Sequence, residues 1–346
     1  MKAITVPRYG SSEVLVLSEV EAPVPREEDV LVDVVAASLN AADGHVVHGT
    51  LLPIRLAFGL RRPAKIRALG ADVAGRVRAV GARVSGFSVG DAVIADLSGH
   101  GFGACAEQVC APARVFVKKP ASLSFTEAAA LPMAGMTALM GLREVGAVRA
   151  GEQVLVVGAA GGIGSFAVQI ARVLGAEVTA ACRAEKADVV SALGVNEVVD
   201  TSSLDEALAR GTLDDRFDVV FDCAAYRSPF AFRRVLRQGG RYVLAGGAMT
   251  PILQTAFLGP FVGLATGRRF LSFIEMADPA RLAEVVALAE AKKIRPVIDR
   301  VFPLAEGAAA LRPLEGRRTR GKIVVSVAEA SAPEQAHETQ PFLTAT

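Results

Sequence analysis

Residues 154–181 contain a glycine-rich turn between two apolar runs, in the sequence VLVVGAAGGIGSFAVQIARVLGAEVTAA. Val154–Gly158 has the pattern of a buried β-strand, and Glu177–Ala181 has that of a second strand. Between them, Ala159–Gly164 forms the turn, and Ser165–Leu174 has the spacing of a helix with one apolar face. This order is typical of the βαβ unit that binds the pyrophosphate of a dinucleotide at the helix N-terminus. The sequence therefore predicts a nucleotide-binding domain.

The glycines of the turn indicate where the cofactor contacts lie. Gly161 has no side chain to keep the backbone from a pyrophosphate, and Gly164 lets the helix pack closely on the strand. We assign cofactor contacts to this turn and to the ends of two later predicted strands. The residues are Ala160, Gly161, Gly162, Ile163, Gly164, Cys223, Gly246 and Gly247.

The end of the second strand distinguishes the two nicotinamide cofactors. Sites for NAD usually carry Asp or Glu there, to bind the ribose 2′-hydroxyl. Here the strand leads into Arg183 and Lys186 instead. An arginine makes a forked, charge-assisted contact with a 2′-phosphate, so we expect NADPH to be bound by these two cations. The alternative is that both are solvated residues at a helix start, with Glu185 as a local partner.

Composition excludes several classes of protein. The chain has 346 residues, which suffices for two domains, and its net charge of +2 gives no bulk attraction to nucleic acid. There is no tryptophan, and the four cysteines are scattered, which indicates neither a disulfide framework nor a redox pair. The start, MKAITVPRYG, lacks the apolar run of a signal peptide, so we expect a cytoplasmic protein.

One long apolar segment needs a separate interpretation. Leu244–Gly267 contains no charged residue over 24 positions, a length that would span a bilayer. Pro251, Gln254 and Pro260 interrupt it, and a lipid-exposed helix so interrupted would leave backbone groups unsatisfied. We expect a buried strand, Arg241–Ala245, followed by an apolar loop or helix that covers a pocket or a subunit contact. The alternative is a peripheral membrane contact.

The strand patterns divide the chain into three parts. The first part, to about Phe125, is rich in strands and turns. Its candidate strands are Met1–Val6, Val14–Leu17, Val30–Ala37, Ala74–Val80, Ala92–Ala95 and Glu107–Ala111. The middle part alternates strands with helices, as a doubly wound parallel sheet requires. Its candidate strands are Val154–Gly158, Glu177–Ala181, Glu197–Asp200, Asp218–Cys223, Arg241–Ala245 and Phe270–Ile274. An amphipathic helix, Pro279–Ala291, precedes a return to strand character at 294–327.

Several segments, in this order, resemble the medium-chain dehydrogenase/reductase superfamily in its zinc-free quinone oxidoreductase branch. They are Asn40-Ala41-Ala42-Asp43, LGADVAGRV (69–77), VGDAV (89–93), GACAEQVCAP (103–112), AAALPMAGMTAL (128–139), AAGGIG (159–164), RPVIDRVFPL (295–304) and GKIVV (321–325). The resemblance implies an α/β fold in which a GroES-like, β-rich catalytic domain is interrupted by a Rossmann domain with a doubly wound parallel sheet. The catalytic domain would comprise residues 1–125 and 277–330, and the Rossmann domain residues 126–276. We expect residues 331–346 to be a disordered tail.

The resemblance also implies an active site in the cleft between the domains and a homodimer that pairs through the strand near Phe270–Ile274. Zinc enzymes of the superfamily carry a cysteine in the segment where Asn40–Asp43 stands, and a His-Glu pair where Ala71-Asp72 stands. Because a catalytic zinc needs three such ligands, we predict no metal. His45 and His48 are expected to line a polar cleft wall rather than to join Asp43 as a metal site.

Without a metal, a hydride from the cofactor would reach a quinone or conjugated carbonyl, and the charge that develops on oxygen needs a hydrogen-bond donor. The resemblance implies that the segment from Asn40 lines the nicotinamide pocket and that Thr137 approaches the nicotinamide face. A tyrosine often stands two residues after the aspartate in this family, and here that position is His45. Its imidazole either donates to the oxygen or only lines the wall. The candidate catalytic residues are Asn40, Asp43, His45 and Thr137.

A basic segment follows the active-site segment. No acidic residue occurs from Gly44 to Ala71, whereas Arg55, Arg61, Arg62, Lys65 and Arg67 do. This is either a solvated face, an anion-binding rim for an acyl thioester, or a contact with anionic lipid. We expect an NADPH-dependent reductase of a small apolar quinone or α,β-unsaturated carbonyl. The alternatives are an enoyl-thioester reductase and an NADPH-binding protein with little catalytic role.

Overall fold

The computed structural model describes residues 1–50, 52–247 and 249–327. The predicted tail, 331–346, lies outside the described residues. The first part of the chain forms strands, as predicted, with two short helices. The strands are β1 (Lys2–Thr5), β2 (Val16–Glu19), β3 (Asp29–Leu39), β4 (Asp72–Val80), β5 (Ala92–Asp96), β6 (Gln108–Pro112) and β7 (Val117–Lys118); the helices are α1 (Ala41–His48) and α2 (Leu52–Phe58). Strand β7 was not predicted, because two residues carry no periodic pattern.

The middle part alternates strands and helices. The strands are β8 (Gln153–Val157), β9 (Glu177–Cys182), β10 (Glu197–Asp200), β11 (Phe217–Asp222), β12 (Leu236–Ala245) and β13 (Arg269–Phe273). The helices are α3 (Phe125–Ala129), α4 (Pro132–Leu139), α5 (Gly162–Val173), α6 (Ala187–Ser191), α7 (Thr201–Arg210), α8 (Met249–Leu253) and α9 (Gly259–Thr266). All six predicted strands are confirmed. They pair in parallel in the order β10-β9-β8-β11-β12-β13, the arrangement of a dinucleotide-binding sheet.

The last part of the chain adds two strands to the sheet that contains β3 to β7. Its elements are α10 (Pro279–Glu290), β14 (Ile298–Pro303), α11 (Gly307–Glu315) and β15 (Lys322–Ser326). Strand β15 pairs antiparallel with β3, and the sheet has the order β14-β15-β3-β4-β5-β7, with β6 also on β3. This sheet therefore takes strands from both ends of the chain, and the parallel sheet lies between them in sequence. The exact domain boundaries stay a prediction.

The two sheets meet at the glycine-rich turn. Helix α4 packs against both α5 and α10, and a single apolar cluster joins residues of the parallel sheet to Ala36 of β3 and Val324 of β15. An isolated parallel bridge links Gly161 of the turn to Gly321, which precedes β15. The N-terminus of α5 is thereby held next to the first residue of β15.

The apolar segment after β12 forms a helical crossover to β13. Helices α8 and α9 are joined by a π-turn, Gln254–Leu258, and Thr255 and Gly259 are buried against the sheet side. The outer side is also apolar, with Phe257 69% and Leu264 89% exposed. The predicted apolar helix is therefore confirmed. That this segment covers a pocket or a subunit contact stays a prediction. Among the described residues, no helix is long and apolar enough to cross a membrane.

Candidate active site

The active-site segment begins where β3 ends. Asn40 caps the N-terminus of α1 and is only 8% exposed. Its backbone N–H donates to Oδ2 of Asp43 at 2.7 Å, and the N–H of Gly70 donates to Oδ1 of the same carboxylate at 3.1 Å. The Asp43 side chain therefore joins the start of α1 to the chain that enters β4.

Burial dominates the chemistry of Asp43. The carboxyl group is fully buried, and this burial raises its pKa to about 7, with a smaller contribution from the charge of Asp72. Both of its oxygens accept backbone N–H groups, so they are already engaged. The geometry therefore does not support the predicted catalytic role for Asp43, and it makes this residue a support for Asn40.

A buried ion pair lies beneath Asn40. Asp72, the first residue of β4, accepts the Met133 N–H on Oδ1 at 3.0 Å and the Asn40 amide on Oδ2 at 2.9 Å. The Lys322 ammonium donates to the same Oδ2 at 3.1 Å and also to Oδ1 of Asn40. Lys322 is 2% exposed and Asp72 is fully buried. The amide of Asn40 is thus held between a cation and an anion.

Sequence reasoning missed Lys322. It lies 282 residues from Asn40 and begins the apolar strand KIVVS. The only signal in the sequence is a single lysine placed directly before a run of buried β-branched residues. Such a lysine is equally consistent with a solvated residue at the end of a strand. Its contact with Asn40 becomes evident only when β15 pairs with β3.

The two remaining catalytic candidates, His45 and Thr137, differ in what they offer. His45 is half-buried, and burial lowers its pKa below the ordinary value, aided by the charges of His48 and Arg317. Its ring is therefore neutral at pH 7 and has one N–H to donate. Thr137 donates its hydroxyl hydrogen to the carbonyl of Met133 at 2.7 Å, so its oxygen remains only as an acceptor.

The glycine-rich turn lies at the carboxyl end of β8. Gly161 caps α5, and the first N–H groups of that helix, on Gly162, Ile163 and Gly164, have no acceptor within the helix. Such groups bind anions, and the helix dipole adds to the attraction. A Cβ on Gly164 would lie 2.2 Å from the Gly158 carbonyl oxygen, so the predicted need for close packing there is confirmed. Ala160 lies buried within the turn.

The other predicted cofactor residues lie along the same edge of the sheet. Cys223 follows β11, and its N–H donates to the carbonyl of Val157 in β8 at 2.9 Å. Gly246 and Gly247 follow β12 with φ angles of +78° and +103°. Because β8, β11 and β12 are parallel neighbours, their carboxyl ends form one edge, where ligands of such sheets bind. The structure therefore brings these residues together.

The two predicted 2′-phosphate ligands differ in availability. Arg183 follows β9 with its side chain 53% exposed, 3.7 Å from Glu185. Lys186 is buried, and its ammonium donates to the carbonyls of Thr319 at 2.8 Å and Arg317 at 3.1 Å. Lys186 thus ties down the loop before β15, and this geometry does not support it as a direct phosphate ligand. Arg320, which the sequence analysis did not select, bonds to the Glu185 carbonyl beside it.

Comparison with known proteins decides the family. A model described as the alcohol dehydrogenase GroES-like domain matches residues 26–121, and one described as a zinc-binding dehydrogenase matches 193–325. A chloroplastic quinone-oxidoreductase homolog from Spinacia oleracea is 30% identical over 94% of this chain and 98% of its own. The chain belongs to the medium-chain dehydrogenase/reductase superfamily, in its quinone oxidoreductase-like branch.

Other members of the superfamily support the same assignment for this medium-chain oxidoreductase. A 2-methylene-furan-3-one reductase from Solanum lycopersicum is 33% identical over 94% of this chain and 79% of its own. The solved structure of a quinone oxidoreductase from Coxiella burnetii superposes with a TM-score of 0.83 at 29% identity, covering 95% of this chain and 99% of that one. The predicted family, its GroES-like domain and its α/β fold are therefore confirmed.

The matching model is named for zinc, so the donors of this medium-chain oxidoreductase must be tested against that ion. Asn40 lies in the segment where the zinc enzymes carry a cysteine, and Ala71-Asp72 stands where they carry a His-Glu pair. The side chains of Asn40 and Asp72 are both bonded to the ammonium of Lys322. A second cation would meet that charge at close range. Both ring nitrogens of His48 already have partners, since Nδ1 lies 2.6 Å from the Gly44 carbonyl oxygen and Nε2 lies 3.4 Å from the Glu315 carboxylate. These donors do not fit a zinc ion.

The basic segment divides into an inner and an outer part. Ile54 and Phe58 of α2 pack on the same small buried apolar cluster as Met133. Arg55 donates to the Gly49 carbonyl at 2.6 Å and lies over the ring of Tyr9, so it is a structural residue. The other four cations are exposed, and within the described part of the chain none forms an ion pair. They are Arg61, Arg62, Lys65 and Arg67.

The raised pKa of Asp43 predicts a pH-dependent stability that Asp43→Asn removes. A carboxyl pKa raised from 3.8 to about 7 stabilises the fold fully below the lower value, and this contribution is lost as the pH rises through the upper one. The free energy of unfolding of the parent, relative to the variant, should therefore fall by about 2–3 kcal/mol between pH 5 and pH 8. Urea unfolding at both pH values measures it. Asp96, whose pKa burial raises to about 6, is present in both proteins and cancels. A constant difference between the two proteins would contradict the prediction.

Proposed function

We propose that the protein is an NADPH-dependent reductase that transfers hydride to a quinone or an α,β-unsaturated carbonyl without zinc. The observation that carries this proposal is the Lys322–Asp72–Asn40 network, a buried ion pair whose charges cancel, within the segments that by resemblance correspond to those of the zinc ligands. An uncompensated aspartate here would repel a substrate oxygen that becomes negative. The ammonium removes that repulsion and leaves the Asn40 amide as a donor.

The candidate active-site residues have different roles in binding a carbonyl substrate and the cofactor. When bound, the nicotinamide supplies the hydride. Asn40 uses one amide hydrogen on Asp72 and keeps the second for a ligand oxygen. His45, neutral because burial lowers its pKa, is the second donor. Thr137 offers only an acceptor, which suits the amide group of the nicotinamide rather than the substrate oxygen.

An enoyl-thioester reductase is the second candidate, and the exposed cations after α2 favour it. Arg61, Arg62, Lys65 and Arg67 are exposed and have no ion-pair partner among the described residues. They lie in the segment whose Ile54 and Phe58 pack on the same apolar cluster as Met133. Such a rim would bind the phosphates of a long acyl thioester. NADPH oxidation with quinones, enones, an enoyl-CoA and a short enoyl thioester lacking phosphate tests both candidates. Turnover of quinones or enones supports the first, and a strong preference for the enoyl-CoA over the short thioester supports the second.

A homodimer through the edge of the parallel sheet is also part of this proposal. Strand β13 ends the sheet, and the outer face of α8 and α9 beside it exposes large apolar side chains. A second copy of the chain that paired along β13 would cover part of this face. Contact with a membrane is the alternative for the same surface.

The cofactor preference depends on Arg183. We predict that NADPH binds at least tenfold more tightly than NADH, because a charge-assisted contact with the 2′-phosphate is worth about 1.5–3 kcal/mol. Arg183→Ala should remove most of this preference and leave the NADH affinity unchanged. Fluorescence titration of the reduced cofactors measures both. Arg210→Ala is the matched control, since Arg210 is 71% exposed on α7 and, within the part of the chain that the structure describes, forms an ion pair only with Glu206. Equal affinities of the parent for both cofactors would contradict the prediction.

The role of His45 can be separated from that of a lining residue. If its N–H stabilises the developing oxyanion, His45→Ala should lower kcat by about 10²–10³-fold. A lining residue should mainly raise KM. Steady-state kinetics at saturating NADPH distinguishes the two, with cofactor binding measured separately. An unchanged kcat in the variant would contradict the donor role.

A further inference from the structure

Lys322 lies where the cofactor turn and the catalytic sheet meet. It follows Gly321, which is bridged to Gly161 of the turn. A Cβ placed on Gly162 would lie 3.0 Å from Cδ of Lys322, so the aliphatic stem of the lysine runs against the first residue of α5. The ammonium at the other end of the stem reaches Asn40 and Asp72. One buried side chain therefore touches both the cofactor turn and the substrate-facing amide.

The two charges determine which way the Asn40 amide points. An ammonium only donates hydrogen bonds, and an ionised carboxylate only accepts them. With Oδ1 toward Lys322 and Nδ2 toward Asp72, both bonds are satisfied. A flipped amide would place its NH₂ group against the ammonium and its oxygen against the carboxylate. Both bonds would then be lost in a buried site, at a large cost.

Stability alone does not explain such a pair. Two buried charges are costly to desolvate, and an apolar pair of the same volume is often equally stable. What an apolar pair lacks is the ability to orient a neighbouring amide. We propose that Lys322 is a positioning residue, which fixes the direction of the Asn40 amide and links it to the glycine turn that holds the cofactor. This inference rests on the proposed function, in which Asn40 Nδ2 donates to a ligand oxygen.

The double variant Lys322→Met with Asp72→Asn tests whether Lys322 orients the Asn40 amide or only balances the charge of Asp72. It removes both charges together, so no buried ion is left unpaired. An asparagine at 72 can keep its oxygen on the Met133 N–H, and its NH₂ group then faces Asn40. The Asn40 amide must turn its oxygen toward that group, which reverses the donor in the cleft. Lys322→Met alone leaves Asp72 unpaired and is expected to lower the unfolding temperature.

We expect the double variant to unfold near the parent temperature and to bind NADPH within about threefold of the parent by fluorescence titration. Its kcat should fall by about 10²-fold or more, with little change in KM, because a donor to the developing oxyanion is lost. A readout independent of activity is the side-chain amide signal of Asn40 in ¹⁵N-asparagine-labelled protein, assigned by its loss in Asn40→Ala. This signal should shift in the double variant and should not shift in the control below.

The matched control removes a buried ion pair outside the cleft. Arg241 and Glu152 pair at 2.6 Å, and Arg241 also donates to the Gly146 carbonyl. Arg241→Met with Glu152→Gln should change stability while leaving kcat and the Asn40 signal at parent values.

Parent kcat in the Lys322/Asp72 double variant would overturn the proposal, because Lys322 would then only balance Asp72. An equal loss of NADPH affinity and kcat would also overturn the proposal, because Lys322 would then support the glycine-rich turn rather than orient the Asn40 amide. If the parent reduces no acceptor, the proposed function fails, and the Asn40 signal alone then decides the positioning role.

Discussion

The cleft depends on one buried ion pair, that between Lys322 and Asp72. The pair spans three parts of the chain: Asp72 begins β4, Lys322 begins β15, and the amide between them belongs to Asn40 at the end of β3. Each charge compensates the other, and each engages the amide with the only kind of hydrogen bond it can make. The charges of the pair therefore cancel, and in the proposed function the site presents the Asn40 amide to the substrate as a hydrogen-bond donor.

Around this pair the protein uses backbone groups rather than charges. Asp43 accepts two backbone N–H groups, and the glycine turn offers the free N–H groups of α5 to an anion. The bridge between Gly161 and Gly321 fixes the turn relative to Lys322. The turn proposed to bind the cofactor and the residues proposed to face the substrate are therefore directly connected, which suits a reaction that depends on positioning more than on a strong acid or base.

Patterns local in sequence predicted most of the fold. The six parallel strands follow from apolar runs of strand length, and the packing of Gly164 follows from its place in the turn. Contacts between distant segments were not predictable in this way. Lys322 contacts Asn40 only because β15 pairs with β3. Lys186 is buried because its ammonium donates to the carbonyls of Arg317 and Thr319 in the loop before β15. A charged residue in the sequence shows that a charge exists, but not which atom of a remote loop receives it.

An isotope experiment can test whether the protein catalyses the proposed conjugate hydride transfer in a site without a Lewis acid. Metal-stripped protein would be given NADPH carrying deuterium at one face of C4, together with a conjugated enone, and the product examined by mass spectrometry and NMR. We expect a saturated ketone with deuterium on the β-carbon, delivered from one face of the cofactor only. Deuterium on the carbonyl carbon of an allylic alcohol, or transfer that requires added zinc, would contradict it.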